Sequence, residues 1–184
     1  LYGWLALHCQ GARQRLIEAD PVTVVVYGDV KPMPREDKQK ILAGLQQEAK
    51  QHLTFRWDIP SATPFGAMAH QELAAEFSAA LSAPERDDAS QSFADCVLDI
   101  LNEGEPIPEL ASTIKAVAMD DSRGSRTRRH ALGAWLKQSP PIEEAIALLD
   151  SINDHRITDP DDDLAEQLLS SLYPDYSAPD ALLR

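Results

Sequence analysis

The chain has 184 residues, of which 43% are hydrophobic and 26% are charged, as expected for one globular domain or one domain with a small appendage. Its 17 Lys and Arg against 30 Asp and Glu give a formal charge of −13, which repels nucleic-acid backbones and anionic lipid, so neither is an expected partner. Cys9 and Cys96 form no CxxC pair, so we expect two reduced, buried thiols and a cytoplasmic location.

The N-terminal stretch LYGWLALHC is apolar but short, and no basic residue precedes it, so it is neither a signal peptide nor a membrane span. It has no initiating Met and begins within an apolar run, which suggests a chain cut from a longer protein. Apolar residues then recur at helical spacing as far as Ile17, and this pattern predicts a helix over residues 3–19.

Residues 20–29, DPVTVVVYGD, allow two interpretations. The β-branched interior favours a strand, whereas Asp20 followed by Pro21 is a helix-start signal and Gly28 suits a left-handed helix stop. The sequence offers no second convincing strand, and a lone strand would leave its backbone groups unpaired. We therefore predict a two-turn helix.

Two further helices are predicted in the first half of the chain, over residues 35–53 and 68–82, from their apolar stripes. Between them lies the irregular segment 54–66, which we expect to pack back on the helices because it is rich in apolar residues. Its large apolar residues are Phe55, Trp57, Ile59 and Phe65. A charge-rich turn with Pro84 then predicts an internal boundary near residues 84–88.

The second half of the chain repeats a pattern of paired helices. Predicted helices over 89–102, 126–137 and the segment after Pro160 are each followed by a proline and a second helix, over 109–119, 142–152 and 177–184. Marker residues Ala94, Ala131 and Ala165 lie 37 and 34 residues apart. Such spacing is typical of HEAT-like or armadillo-like repeats, with a non-repeating helical bundle as the alternative. The expected fold class is all-α.

Known catalytic and metal-binding motifs do not fit this sequence. No P-loop string occurs, no GxSxG marks a nucleophile, and the five histidines have no HExxH or other ligand spacing. The run Asp159 to Asp163 lacks the glycine and the final glutamate of a calcium loop, so Asp161 to Asp163 are expected in a first helical turn. We therefore assign no catalytic, metal or cofactor-binding residue.

The basic residues of this acidic chain concentrate at one place, and they form the possible interaction patch Arg123, Arg126, Arg128 and Arg129. Guanidinium groups could bind a phosphate or the carboxylates of a partner. The alternative, which we favour, is internal pairing with neighbouring acids such as Asp120 and Asp121.

Three stretches of the sequence resemble the helical region that follows the P-loop module in bacterial NACHT-type NTPases of the STAND class. They are LALHCQGARQRLIEADPVTVVVYGDV, DKQKILAGLQQEA and FGAMAHQEL. The matching residues are Arg15, Leu16, Ile17, Asp20, Pro21, Tyr27, Gly28, Asp29, Lys40, Ile41, Leu42 and Leu45. Residues 1–86 are accordingly assigned to this region, and 87–184 to HEAT-like repeats.

The resemblance implies a non-catalytic regulatory or sensing region of a larger signalling or defence NTPase. The family's nucleotide-binding residues would lie upstream, so none is carried over to this chain. Its implied partners are other domains of the same polypeptide or a protein or peptide ligand. The alternatives are a free-standing HEAT-like adaptor and an enzyme of unrecognised helical type, which would need a pocket with convergent titratable groups.

Overall fold

The fold is all-α, and the computed structural model describes residues 9–56 and 63–173, among which no residue lies in a strand. The α-helices are α1 (Gln10–Ala19), α2 (Pro21–Tyr27), α3 (Arg35–Gln51), α4 (Ala74–Ser82), α5 (Asp88–Glu103), α6 (Ala111–Ala118), α7 (Ser125–Lys137), α8 (Ile142–Asn153) and α9 (Asp163–Leu172). Short 3₁₀ turns cover Thr63–Met68, Gln71–Leu73 and Pro108–Leu110. None of the helices in the described ranges is both long and apolar enough to cross a membrane.

The valine-rich run after Asp20 is helical, as predicted. Asp20 begins α2 by accepting a hydrogen bond from the backbone N–H of Thr23 at 2.9 Å, and Pro21 is the first helical residue, where its missing N–H costs nothing. Gly28 differs from the prediction, because its φ of −97° is extended and not left-handed. Any residue type can adopt this extended conformation, so the end of α2 does not require a glycine. The interactions that mark this helix in the sequence are those at its N-terminus.

Helix α3 forms the centre of the N-terminal part of the fold. Its buried apolar residues are Ile41, Leu42, Leu45 and Ala49, and both α1 and α2 pack against it. α1 is additionally tied to it through Asp37, which accepts a hydrogen bond from Nη1 of Arg13 at 3.1 Å. Leu53, predicted within this helix, lies beyond its end and is 44% exposed. Of the predicted first helix, residues 3–8 lie outside the described residues, and α1 begins after Cys9.

Gly44 lies at the closest approach of α2 to α3, and this contact yields a testable prediction. A Cβ at Gly44 would lie 2.9 Å from both Cβ and Cγ of Pro21, whereas a Cβ at Gly11 in α1 would meet no atom within 4 Å. We expect Gly44→Ala to lower the free energy of unfolding by about 1–2 kcal/mol, because steric strain outweighs the gain in helix propensity. Gly11→Ala, the control, should raise it by up to about 1 kcal/mol. Similar effects of the two variants in urea denaturation would contradict the close approach.

The described residues of the segment between α3 and α4 pack on the helices, as predicted. Phe55 and Phe65 are buried, and the turn Thr63–Met68 packs against α2 and α5. Trp57 and Ile59 lie outside the described residues. Close contact with α5 is possible because Gly66 has no side chain, since a Cβ there would lie 2.5 Å from the carbonyl oxygen of Glu103.

The chain divides into two compact units, Leu1–Thr113 and Ile114–Arg184, so this division falls later than the boundary expected near residues 84–88. Helix α5 explains the difference, because it packs against α3, α4 and the turn Thr63–Met68 of the first unit. Asp87 and Ser90 form a capping box at its start. The assignments of 1–86 and 87–184 to different kinds of helical region stay predictions.

In the second unit, α9 packs against both α7 and α8. Ala131, Leu132 and Trp135 of α7 are buried, as are Leu148 of α8 and Leu168 of α9. Lys115 of α6 adds two contacts, an ion pair of 2.7 Å with Glu144 and a position 5.1 Å above the ring of Trp135. The predicted helix over 177–184 lies outside the described residues.

Candidate interaction surfaces

The four arginines of the predicted patch separate into a buried and an exposed pair. Arg123 lies in the loop between α6 and α7, and the other three lie in the first turns of α7. Arg123 and Arg128 are buried, whereas Arg126 and Arg129 are exposed. The four arginines are close together along the chain, but the two pairs differ in burial.

Arg128 holds together three segments of the second unit. Its Nε donates to the carbonyl oxygen of Ala118 at 3.0 Å, and its Nη1 donates to the carbonyl oxygen of Thr158 at 2.7 Å. Its Nη2 lies 3.1 Å from Oδ1 of Asp121, whose other oxygen accepts from the hydroxyl of Thr158 at 3.0 Å. The guanidinium therefore joins the end of α6 to the loop that precedes α9.

Arg123 is paired within its own loop. Its Nε lies 3.1 Å from Oδ2 of Asp120, and Oδ1 of Asp120 accepts from both the hydroxyl and the backbone N–H of Ser122. The Ser122 hydroxyl, followed by the other hydrogen bonds and the Arg123 charge, holds the pKa of Asp120 below its usual value. The internal pairing favoured from the sequence thus occurs at Arg123 and Arg128.

The other two arginines, Arg126 and Arg129, have exposed side chains. Nη1 of Arg129 lies 3.4 Å from Oδ1 of Asp163, with the Arg129 side chain 58% exposed, which is a weak, solvated contact. The interaction patch of Arg123, Arg126, Arg128 and Arg129 stays a prediction.

Two other sequence-based expectations need correction. Cys96 is buried as expected, and burial raises the pKa of its thiol to about 12. Cys9 is instead exposed, because it precedes the first turn of α1 and does not lie on the apolar face of a helix. Both thiols are free.

Asp161 to Asp163 were expected in the first turn of a helix. The side chain that caps this helix, α9, is instead that of Asp159. Its carboxylate accepts from the backbone N–H groups of Leu164 and Ala165 at 2.9–3.2 Å. Asp161 precedes the helix and Asp162 is its left-handed N-cap residue, so only Asp163 lies within the first turn. Within residues 9–56 and 63–173, no three His, Cys, Asp or Glu residues are arranged to hold a metal ion.

The first unit contains an open groove of about 550 Å³ between α3 and α4, which we call the α3–α4 groove. Both helices pack against α5 rather than closely against each other, and Phe93 of α5 lies among the lining residues. The walls are formed by Leu42, Ala43 and Gln46 of α3 and by Ala79, Ala80 and Ala83 of α4. Most of these side chains are small, so the two helices leave room between them.

At one end of the α3–α4 groove, α3 makes polar contacts with α4 and with the 3₁₀ turn Gln71–Leu73, and we call these contacts the clasp. Oε1 of Glu76 accepts from Gln39 and, at 3.1 Å, from Arg35, while the buried Lys38 pairs with Glu72 at 2.8 Å. The hydrogen bond from Gln39, assisted by Arg35, holds the pKa of Glu76 below its usual value. The second oxygen of Glu76, Oε2, is buried and has no hydrogen-bond partner.

At the opposite end of the groove lie Lys50 and Asp87. Asp87 caps α5 by accepting from the backbone N–H of Ser90 at 2.8 Å. This hydrogen bond is the largest cause of the lowered pKa of Asp87, and the charge of Lys50 contributes. The walls of the groove are therefore mostly apolar, and side chains of charged residue types lie at both ends.

The sequence analysis singled out neither the groove nor the clasp. Lys38 precedes Ile41 and Leu42 by three and four residues, a spacing that places it on the apolar face of α3, so its burial had a detectable signal. The groove had no detectable signal in the sequence, because an alanine such as Ala80 fits the apolar stripe of a helix whether that stripe packs in a core or lines a groove.

Comparisons of the chain with models of protein families, with curated proteins and with solved structures found no match.

Proposed function

We propose that this chain is a non-catalytic helical regulatory or sensing region of a larger bacterial STAND/NACHT-type signalling or defence NTPase. The sequence resemblance within residues 1–86 motivates the proposal. In this role the helices restrain an ATPase module and relay the recognition of a ligand. The expected partners are other domains of the same polypeptide or a protein or peptide ligand.

The observation that supports this proposal best is the exposure of Tyr27 at the end of α2. Ile17, Pro21, Ile41 and Leu45 of the matching segment are buried, so core packing explains their presence. Tyr27, in the same segment, is 73% exposed, although a large aromatic side chain gains stability when it is buried. Contact with a neighbouring domain would give this side chain its packing partner.

Residues 87–184 belong to the proposal as a set of HEAT-like paired helices. Support comes from the sequence spacing and from the short connection of residues 138–141 between α7 and α8. A helical array of this kind would extend the surface available to a protein ligand.

The test is ATP hydrolysis by the full-length protein with Tyr27→Ala. Aromatic contacts at interfaces contribute about 1–2 kcal/mol or more, so their loss should shift an inactive–active equilibrium roughly 5–30-fold. We therefore expect basal hydrolysis to rise. Tyr173→Ala is the matched control, because Tyr173 is 68% exposed but lies in the second unit.

Equal hydrolysis by wild type and Tyr27→Ala would contradict a restraining contact at this position. A full-length protein without a P-loop module would overturn the proposal as a whole. That result would favour the free-standing HEAT-like adaptor, since the helical units would then act without an ATPase.

A further inference from the structure

Lys38 is a charged residue at a position where α3 otherwise buries apolar side chains. It precedes Ile41 and Leu42 by three and four residues, so it lies on the buried face of the helix, and its side chain is 2% exposed. A lysine is almost never fully buried unless it is paired. A buried ion pair contributes little net stability, because the cost of removing both charges from water offsets their attraction. Stability alone therefore does not account for a charge at this position.

The partner of Lys38 is Glu72, in the 3₁₀ turn Gln71–Leu73 that leads directly into α4. Nζ of Lys38 lies 2.8 Å from Oε1 of Glu72. The turn packs against both α3 and α4, and its Leu73 is buried. The ion pair therefore holds the residues that precede α4 against the first turn of α3.

The two members of this pair differ in their access to solvent. The Glu72 side chain is 29% exposed and that of Lys38 only 2%, so protons reach the carboxylate while the ammonium is enclosed. The hydrogen bond from Lys38 is the largest cause that holds the pKa of Glu72 below its usual value. A carboxylate with a lowered pKa stabilises the folded state above the usual glutamate pKa of about 4.3, and this contribution is lost as the pH falls through the lowered pKa.

Two further cations act on Glu72, and both are exposed to solvent. Arg35 of α3 is exposed and pairs with Glu76 of α4 at 3.1 Å. Nδ1 of His70, also exposed, lies 3.4 Å from the same Oε1 of Glu72 that pairs with Lys38. Solvent-exposed contacts of this kind are weak. Lys38 is therefore the cation whose energy depends most on the charge of Glu72.

The other carboxylates beside this pair have partners of their own. Asp37, next to Lys38 along α3, pairs with Arg13 of α1 at 3.1 Å. Glu109, in the turn that precedes α6, accepts a hydrogen bond from the side chain of Gln71 at 2.6 Å. Loss of the charge on the glutamate of the pair therefore leaves the buried ammonium without its counter-ion.

We propose that the Lys38–Glu72 pair is an acid-sensitive latch that holds the start of α4 on α3. At neutral pH the ionised Glu72 keeps the ammonium paired. When Glu72 takes up a proton, Lys38 is left buried without its counter-ion, which is strongly unfavourable. The turn Gln71–Leu73 then loosens until water reaches the ammonium. The inference rests on this pair alone and does not depend on the proposed function.

Hydrogen exchange of the backbone amides in the turn measures the latch in the full chain. The N–H of Leu73 donates to the carbonyl oxygen of His70 at 2.9 Å, so it exchanges mainly when the turn opens. Glu72→Gln imitates the protonated side chain at neutral pH, and we expect it to raise this exchange rate roughly tenfold or more. Lys38→Met removes the buried charge and should keep the rate close to that of wild type.

The double variant Lys38→Met/Glu72→Gln separates the latch from a general loss of stability. Because it buries no charge, its exchange in the turn should return to that of Lys38→Met. As the pH is lowered from neutral towards about 4, the turn should open earlier in wild type than in Lys38→Met. Comparison of the two at each pH cancels the intrinsic effect of acid on exchange.

Glu144→Gln is the matched control, because Glu144 forms an ion pair of nearly the same length, 2.7 Å, with Lys115. These two side chains are 48% and 33% exposed, so exchange in the first turn of α8 should change little. Three results would each overturn the proposal: Glu72→Gln exchanging as wild type does, the double variant exchanging as fast as Glu72→Gln, or wild type and Lys38→Met opening at the same pH.

Discussion

Arg128→Ala is expected to lower the free energy of unfolding by about 3–5 kcal/mol. The Arg128 side chain is 4% exposed, and its guanidinium donates to the carbonyl oxygens of Ala118 and Thr158. Removing it leaves both acceptors without this donor and separates the end of α6 from the loop before α9. Urea denaturation followed by far-ultraviolet circular dichroism measures the loss.

Arg129→Ala is the matched control, because it removes the same side chain from the next position of α7. Arg129 is 58% exposed and its contact with Asp163 is long, so we expect a change of less than about 0.5–1 kcal/mol. Arg128→Lys should recover only part of the stability, since an ammonium group cannot reproduce the fixed fork of donors. Equal losses for Arg128→Ala and Arg129→Ala would show that Arg128 does not join these segments.

Trp135→Ala is the other substitution with a large expected effect, a loss of about 3–5 kcal/mol in the free energy of unfolding. The side chain is 1% exposed and is the largest fully buried one among the described residues. Its removal leaves a cavity beside α7 and removes the aromatic ring over which Nζ of Lys115 lies. Thermal and urea denaturation of the purified variant measure the effect.

Ile146→Ala tests whether burial, and not merely apolar character, determines this loss. Ile146 lies in α8 of the same unit and is 42% exposed, so its truncation should cost much less. A Trp135→Ala variant as stable as Ile146→Ala would mean that α7 does not bury the face on which Trp135 lies.

The sequence predicts the start of a helix well where a capping residue marks it, because capping is a local interaction. The helix predicted over 68–82 has no such cap, and α4 begins only at Ala74. Asp20 and Pro21 identify the start of α2 without any knowledge of the rest of the fold, and the structure confirms it. The end of α2 was less predictable, since Gly28 tolerates both extended and left-handed backbone. Leu53 was wrongly extended into α3 because periodicity alone does not show where a helix ends.

Contacts between segments that are distant in the chain could not be predicted from the sequence. Asp120 and Asp121 could be suspected as arginine partners because they are close in the chain. The carbonyl of Thr158, 30 residues from Arg128, becomes a partner only once α7 and α9 have packed. The α3–α4 groove likewise depends on the separation of two helices on α5, which no helical periodicity specifies.

Because Cys9 is exposed and Cys96 is buried, the rates at which the two thiols react can be used to measure local unfolding of the first unit. A thiol-specific reagent attacks the thiolate, so the exposed Cys9 should react at once, whereas burial and a pKa of about 12 protect Cys96. Cys96 lies in the middle of α5, the helix that packs against both α3 and α4. Its labelling rate therefore reports how often the first unit opens locally, and Cys9 in the same molecule supplies the reference rate.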